Sequence, residues 1–148
     1  MPTSTLRAHR RARPFAVAVL ALCALVAACA TISPFSAVAY QQATALKAES
    51  LLLMDQATER FDLHKEAADR LRLELAKAYE FAKGRPLNED STRQWAILRD
   101  PKRNSIAGFL QRWQAEKELG RAFIDESKRL VADGFDAVIG LESGKRRE

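Results

Sequence analysis

The sequence predicts an all-α fold, either a long antiparallel helical hairpin or a small three- to four-helix bundle. Residues 37–82 contain no Gly or Pro and are dominated by residues with high helix propensity. Apolar or small residues recur there at steps of seven, with a second row offset by three or four positions, as in the seam of a long amphipathic helix. Nowhere does the sequence show the sustained alternation that a strand requires.

The first long helix is predicted over about residues 37–83. Its seam consists of two rows, namely Met54, Phe61, Ala68, Leu75 and Ala82, and Ala57, His64, Leu71 and Ala78. A break near residues 56–62 is compatible with the pattern, although no strong local signal marks one. Lys83-Gly84-Arg85-Pro86 should end this helix, with a cation in the last turn, a left-handed glycine cap and a proline breaker.

A connector with a short helix is predicted over about residues 84–100. Ser91 and Gln94 have the spacing of a capping box, which we expect to open this helix. Its apolar residues are Trp95, Ile97 and Leu98.

A second long helix is predicted over about residues 101–142, followed by a basic tail. Asp100-Pro101 indicates an N-cap followed by proline at the first helical position. Three glycines interrupt this helix at a cost of up to about 1 kcal/mol each relative to alanine. We expect close helix packing at Gly108 and Gly120, and either packing or a break at Gly134.

A hairpin of two such helices would have a thin core. We therefore expect either a break that folds the chain into a bundle or self-association into a homo-oligomer.

The first thirty residues have the layout of an export signal. An apolar run covers residues 15–30, and the segment before it is basic and has no acidic residue. The run is shorter than the roughly 20 apolar residues that a membrane-spanning helix needs. The arginines in the basic segment are Arg7, Arg10, Arg11 and Arg13.

The end of this segment, Val26-Ala27-Ala28-Cys29, resembles the lipobox of bacterial lipoproteins. The resemblance covers about thirty residues and implies a signal peptide at 1–28, cleaved before a cysteine that carries acyl chains such as palmitate. Residues 29–36 would then be a short tether to a single helical domain at 37–148. Under the family's sorting rule, Ala30 in place of aspartate points to the outer membrane, with the domain facing the periplasm.

Three other interpretations compete with this one. Cys23 is also preceded by apolar residues, but Leu22 is too large for the position before the modified cysteine. Ala37-Val38-Ala39 could be an ordinary cleavage site, which would leave a free periplasmic chain beginning at Tyr40. An uncleaved helix ending near Pro34 would leave an anchored chain.

The net charge of +5 and the pI of about 9.5 are no evidence for a nucleic-acid partner. Without the four arginines of the export segment, 20 basic residues remain against 19 acidic ones. Both cysteines lie in that segment, so the rest of the chain has no disulfide, zinc-finger site or catalytic thiol.

The connector is nevertheless locally basic, with seven basic and three acidic residues between positions 83 and 112. We hypothesise that it contacts an acidic envelope protein or the cell wall, although solvated surface charge and helix packing of the tryptophan are the simpler interpretations. A hairpin anchored at Cys29 would also return the basic tail, residues 144–148, to the anionic lipid headgroups. The proposed contact residues are Arg93, Trp95, Arg99, Lys102 and Arg103.

No catalytic, cofactor-binding or metal motif is present, so we expect neither catalysis nor a cofactor. His64 lies on the apolar seam, where a half-buried, hydrogen-bonded histidine is expected. The favoured function is that of a lipid-anchored lipoprotein acting through contacts. The alternatives are a ligand-binding or enzyme-like bundle with its pocket around His64, Trp95 and Trp113, and an immunity- or exclusion-type protective lipoprotein.

Overall fold

The computed structural model describes residues 32–145, so the predicted signal peptide, Cys29 and the last three residues of the basic tail lie outside it. The described part of the chain forms five α-helices and one short 3₁₀ helix and contains no strand, which confirms the all-α prediction. The helices are α1 (Ala37–Asp55), α2 (Phe61–Lys83), α3 (Glu89–Leu98), α4 (Ile106–Glu116) and α5 (Arg121–Gly144), and the 3₁₀ helix is Gln56–Thr58.

The helices form a small bundle. Helix α2 packs against α1, α3 and α4, and α5 packs against α1 and α3. We call the end of the bundle that contains the first described residues the proximal end, and the opposite end the distal end. At the proximal end, residues 33–36 lie against residues 84–88 and 142–145, and the Ser33 N–H donates to the Leu87 carbonyl at 2.8 Å. At the distal end, residues 56–60 meet residues 117–120. The predicted bundle, rather than the simple hairpin, is therefore the observed arrangement.

A continuous hydrophobic core runs through the bundle. Eight of the nine predicted seam residues are buried, and the ninth, His64, is partly buried. Phe61 packs edge-on against Trp113 with ring centroids 5.3 Å apart, and Trp95 packs edge-on against Phe135 at 6.0 Å. The heptad pattern therefore identified the buried face of α2 correctly, whereas in α1 it covered only Met54.

The first helix is not continuous from 37 to 83, because the chain leaves the helical path at residues 56–60. Glu59 is extended, with φ −97° and ψ 165°. Backbone groups that have no partner within a helix at this break are hydrogen-bonded to residues 117–119. The Phe61 N–H donates to Lys117 O, and the Leu119 N–H donates to Ala57 O, both at 2.8 Å. The Trp113 indole N–H donates to Glu59 O at 2.9 Å. The break is therefore stabilised by residues almost 60 positions away, which explains the weak local signal.

The predicted capping box at Ser91 is wrong. Helix α3 begins at Glu89 with Asn88 as its N-cap residue. Ser91 lies inside the helix and is 4% exposed, and its hydroxyl accepts a hydrogen bond from the Lys145 ammonium at 3.3 Å. Ser91 therefore serves a tertiary contact and does not cap the helix.

The predicted single helix over 101–142 is wrong, because the chain forms two helices there: α4 ends at Glu116 and α5 begins only at Arg121. Residues 101–105 form turns and bends, and α4 begins only at Ile106, where Ser105 is the N-cap and accepts from the Gly108 N–H. The Asp100 carboxylate accepts from the Lys102 N–H at 2.9 Å, so Asp100 closes a turn in place of capping a helix.

Gly134 has one of its two predicted roles, packing inside a continuous helix, whereas Gly84, Gly108 and Gly120 differ from their predictions. Gly84 has φ −74° and is not a left-handed cap. The predicted close packing at Gly120 is wrong, because nothing lies within 4 Å of a Cβ built there. Gly120 is instead the N-cap of α5, just after the break that follows α4. Gly134 packs against the Leu98 side chain, and Gly108 packs against the backbone of residues 101–103 and not against another helix. Within residues 32–145, no helix is both long and apolar enough to cross a membrane.

Candidate functional site

The predicted contact residues do not form one surface. Lys102 and Arg103 line a groove between the loop at 101–105 and helices α4 and α5, whereas Arg99 lines a second groove next to Arg72 on α2. Arg93 lines neither of these two grooves. The structure therefore divides the basic connector into separate parts.

Trp95 is only 3% exposed and packs against Phe135 on α5. A partner could not reach this side chain without opening the core, so Trp95 is removed from the candidate contact surface. The ligand pocket considered around His64 and the tryptophans gains no support from the packing, because Trp113 is fully buried against Phe61.

Local partners hold three of the four remaining cations. Arg99 lies over the Tyr79 ring, 4.4 Å from its centroid. Arg93 forms an ion pair with Asp90, and Arg103 forms one with Asp100. The contacts leave Arg93 and Arg103 accessible, with side chains 69% and 61% exposed.

The first groove, which we call the basic groove, has a volume of about 310 Å³, near the lower limit for small-molecule pockets. The Arg112 guanidinium lies over the Phe123 ring, 4.1 Å from its centroid, and the Phe109 ring stacks with the Phe123 ring at a centroid distance of 6.1 Å. Three cations and one acid line the groove, so its field favours an anionic contact. The charged and polar residues lining it include Lys102, Arg103, Arg112, Glu126 and Ser127.

A buried polar cluster lies at the proximal end of the bundle, around Glu142. The Glu142 side chain is 2% exposed and accepts hydrogen bonds from Arg85 at 3.0 Å and Lys145 at 2.8 Å. Its other oxygen accepts from the Ser36 N–H at 2.6 Å. Lys145 also donates to the Asn88 side chain at 2.6 Å. The cluster thereby joins the segment before α1, the loop between α2 and α3, and the end of α5.

Opposing effects set the pKa of Glu142. Burial alone would raise the pKa, but the hydrogen bonds from Arg85, Lys145 and the Ser36 backbone more than offset burial and hold the pKa below its ordinary value. The carboxylate is therefore ionised at neutral pH and acts as a structural charge.

The cluster is not among the sites predicted from the sequence, although the sequence contains a signal for it. Val131, Phe135 and Val138 mark the buried face of α5, and Glu142 is the next position on that face. An acid that continues an apolar stripe indicates a buried charge, which requires partners. Which cations provide them depends on the fold, because Arg85 is 57 positions away in the sequence.

His64 has the environment predicted for it. Its side chain is 20% exposed, and its Nε2 lies 2.8 Å from a carboxylate oxygen of Glu59. The ring also lies against Trp113, with centroids 5.5 Å apart. Across residues 32–145, no three His, Cys, Asp or Glu residues are grouped so as to hold a metal ion.

Comparison with known proteins gives no match to a protein-family model, a curated protein or a solved structure.

Proposed function

We propose that this chain is a bacterial lipoprotein, anchored by acyl chains on Cys29 at the periplasmic face of the outer membrane, whose helical bundle acts through contacts. The observation that carries the proposal is the order of three sequence features: the basic segment, the apolar run at 15–30 and Val26-Ala27-Ala28-Cys29 at its end. Two or more acyl chains are sufficient for stable anchoring.

The fold supports cleavage before Cys29 over cleavage after Ala39. A cut after Ala39 would remove residues 37–39, which form the first turn of α1. It would also remove Ser33, which is buried, and Ser36, whose hydroxyl caps α1 by accepting from the Ala39 N–H at 3.2 Å. A chain beginning at Cys29 keeps these contacts.

The expected result of intact-mass analysis on membrane-extracted protein is a chain beginning at Cys29 with the added mass of acyl groups. Cys29→Ser should lose that added mass and leave the membrane fraction. Cys23→Ser is the matched control, since it removes the other cysteine of the same segment and should leave processing unchanged.

Two outcomes would overturn the proposal. An unmodified chain beginning at Tyr40 would be a free periplasmic protein, and a chain with its original N-terminus would be anchored by an uncleaved helix. Acylation lost in Cys23→Ser and kept in Cys29→Ser would move the modified position.

For the contact itself, we propose that the rim of the basic groove binds an acidic envelope protein or the cell wall. Asn104 lies in the exposed loop between Lys102 and Arg103 on one side and α4 on the other. A photo-crosslinking amino acid at position 104 should form a defined adduct in intact cells. Changing Lys102 and Arg103 together to Gln should abolish this adduct, because surface charge steers association.

The matched control changes Lys65 and Arg70 to Gln on the exposed face of α2, where the side chains are 63% and 71% exposed. This variant removes the same charge at another place and should keep the adduct. Equal crosslinking in both variants would exclude the basic groove as the contact surface.

A further inference from the structure

We propose that the proximal end of the bundle docks directly on the phospholipid bilayer, with the Leu87 side chain inserted among the lipids at the boundary of headgroups and acyl chains. This inference rests on the proposed function, because the acyl chains on Cys29 would hold this end at the membrane.

Three large apolar side chains are exposed at this end. Ile32 is 37% exposed, Phe81 is 38% exposed and Leu87 is 45% exposed. Ile32 and Leu87 lie together because the Ser33 N–H donates to the Leu87 carbonyl. Arg85 connects Phe81 to the same surface: its guanidinium lies 5.9 Å from the Phe81 ring centroid and donates to the Pro34 carbonyl.

Leu87 has an unusual backbone conformation for its residue type. Its φ is +55°, in the left-handed region that Gly and Asn adopt far more readily than a bulky residue. Because the exposed Leu87 side chain adds little to the packing of the bundle, the folded state would be more stable with Gly or Asn at this position. Strained positions are often retained for function, and an apolar side chain at a loop tip suits insertion into lipid.

The short distance along the chain between Cys29 and Ile32 indicates which surface faces the proximal end. Ile32 is three positions after Cys29 in the sequence, and a chain of three residues spans at most about 10 Å. If Cys29 carries the acyl chains, the bilayer surface lies within that distance of Ile32. A lipid surface is therefore the occupant that the chain itself delivers to Leu87.

The charges at this end argue for apolar insertion over attraction to headgroups. The Lys145 side chain is 6% exposed and the Arg85 side chain is 13% exposed, and both form ion pairs with the buried Glu142 carboxylate. The exposed acids Glu89 and Asp90 lie two and three positions after Leu87. The part of the predicted tail–headgroup contact that depended on Lys145 is therefore wrong, and we expect docking to be insensitive to salt.

A pair of matched reporters tests this inference in the full chain. Glu89 and Glu118 are both exposed, and they lie at the proximal and distal ends, respectively. Glu89→Cys and Glu118→Cys would each carry the one free thiol of the acylated chain and can be labelled with a polarity-sensitive fluorophore. The acylated proteins are placed in vesicles of phosphatidylethanolamine and phosphatidylglycerol, with or without lipids that carry a quencher in the acyl chain.

The label at position 89 should show blue-shifted emission and be quenched at low and high salt alike, and the label at position 118 should show neither effect. Helix α1 has 19 residues and is therefore about 28 Å long, so the distal label lies well outside the bilayer. Adding Leu87→Asn should abolish the blue shift at position 89 while the melting temperature stays equal or rises. Leu87→Gly should act in the same direction.

Each other outcome is decisive. Quenching at position 89 that survives Leu87→Asn and Leu87→Gly, or that disappears at high salt, would overturn insertion of Leu87 and leave the lipoprotein proposal standing. A lower melting temperature in both variants would mean that Leu87 has a structural role only. A mass spectrum without acyl groups would overturn both proposals.

Discussion

Glu142→Ala is expected to lower the free energy of unfolding by about 3 to 5 kcal/mol, because it leaves buried cations without their counter-charge. Arg85 and Lys145 have side chains only 13% and 6% exposed, so water cannot replace the lost carboxylate readily. Urea unfolding followed by circular dichroism at neutral pH would measure the change. Removing the carboxylate should also release residues 33–36, since the Ser36 N–H loses its acceptor.

Glu49→Ala is the control for this variant. Glu49 is exposed on α1, and its removal should change the free energy of unfolding by less than about 0.5 kcal/mol. Equal effects of the two variants would show that the buried cluster contributes no more than ordinary surface charge.

The same carboxylate should make the bundle sensitive to acid. Since the folded state holds the pKa of Glu142 below its ordinary value, the contribution is fully present above the unfolded pKa of about 4.3 and is lost as the pH falls through the folded pKa. The stability difference between the wild type and Glu142→Ala should therefore narrow between neutral pH and strongly acidic pH. A difference independent of pH would mean that the loss in Glu142→Ala is one of packing alone.

Local pattern was sufficient to predict the helical class and the buried face of α2. Burial of the seam follows from residue type and spacing alone, and Phe61, Leu71 and Leu75 are all buried as the heptad pattern requires. The break between α1 and α2 could not be predicted in this way. Its carbonyl groups are satisfied by Trp113 and Leu119, and no local sequence rule contains those partners.

The same distinction between local pattern and tertiary contacts applies to the candidate sites. Basic composition identified Lys102 and Arg103 as exposed charges, but spacing could not show that they share a groove with Arg112 while Arg99 packs on Tyr79. In the polar cluster around Glu142, the apolar stripe of α5 marks the acid as buried, but its partner Arg85 is 57 positions away and is close only in the folded bundle. Sequence therefore located charges, and the tertiary structure decided which are available to a partner.

Gly108→Ala is expected to lower the free energy of unfolding by about 2 kcal/mol, although alanine is the better helix former. A Cβ built at Gly108 would overlap the carbonyl oxygen of Arg103 and would lie 3.3 Å from the carbonyl oxygen of Pro101. Both neighbours are backbone atoms, so the loop at 101–105 must move. Because Lys102 and Arg103 lie on that loop, faster amide hydrogen exchange there and loss of the crosslink at position 104 should accompany the loss of stability.

Gly140→Ala makes the opposite prediction from the same substitution. Gly140 lies in α5, and nothing lies within 4 Å of a Cβ built there, so only the helix propensity of alanine acts. The free energy of unfolding should rise by about 0.5 to 1 kcal/mol. A decrease in the free energy of unfolding for Gly108→Ala and an increase for Gly140→Ala would mean that glycine at position 108 allows the loop at 101–105 to pack closely against α4. A stabilising Gly108→Ala would show instead that the loop moves freely, and that the groove beside it has no fixed shape.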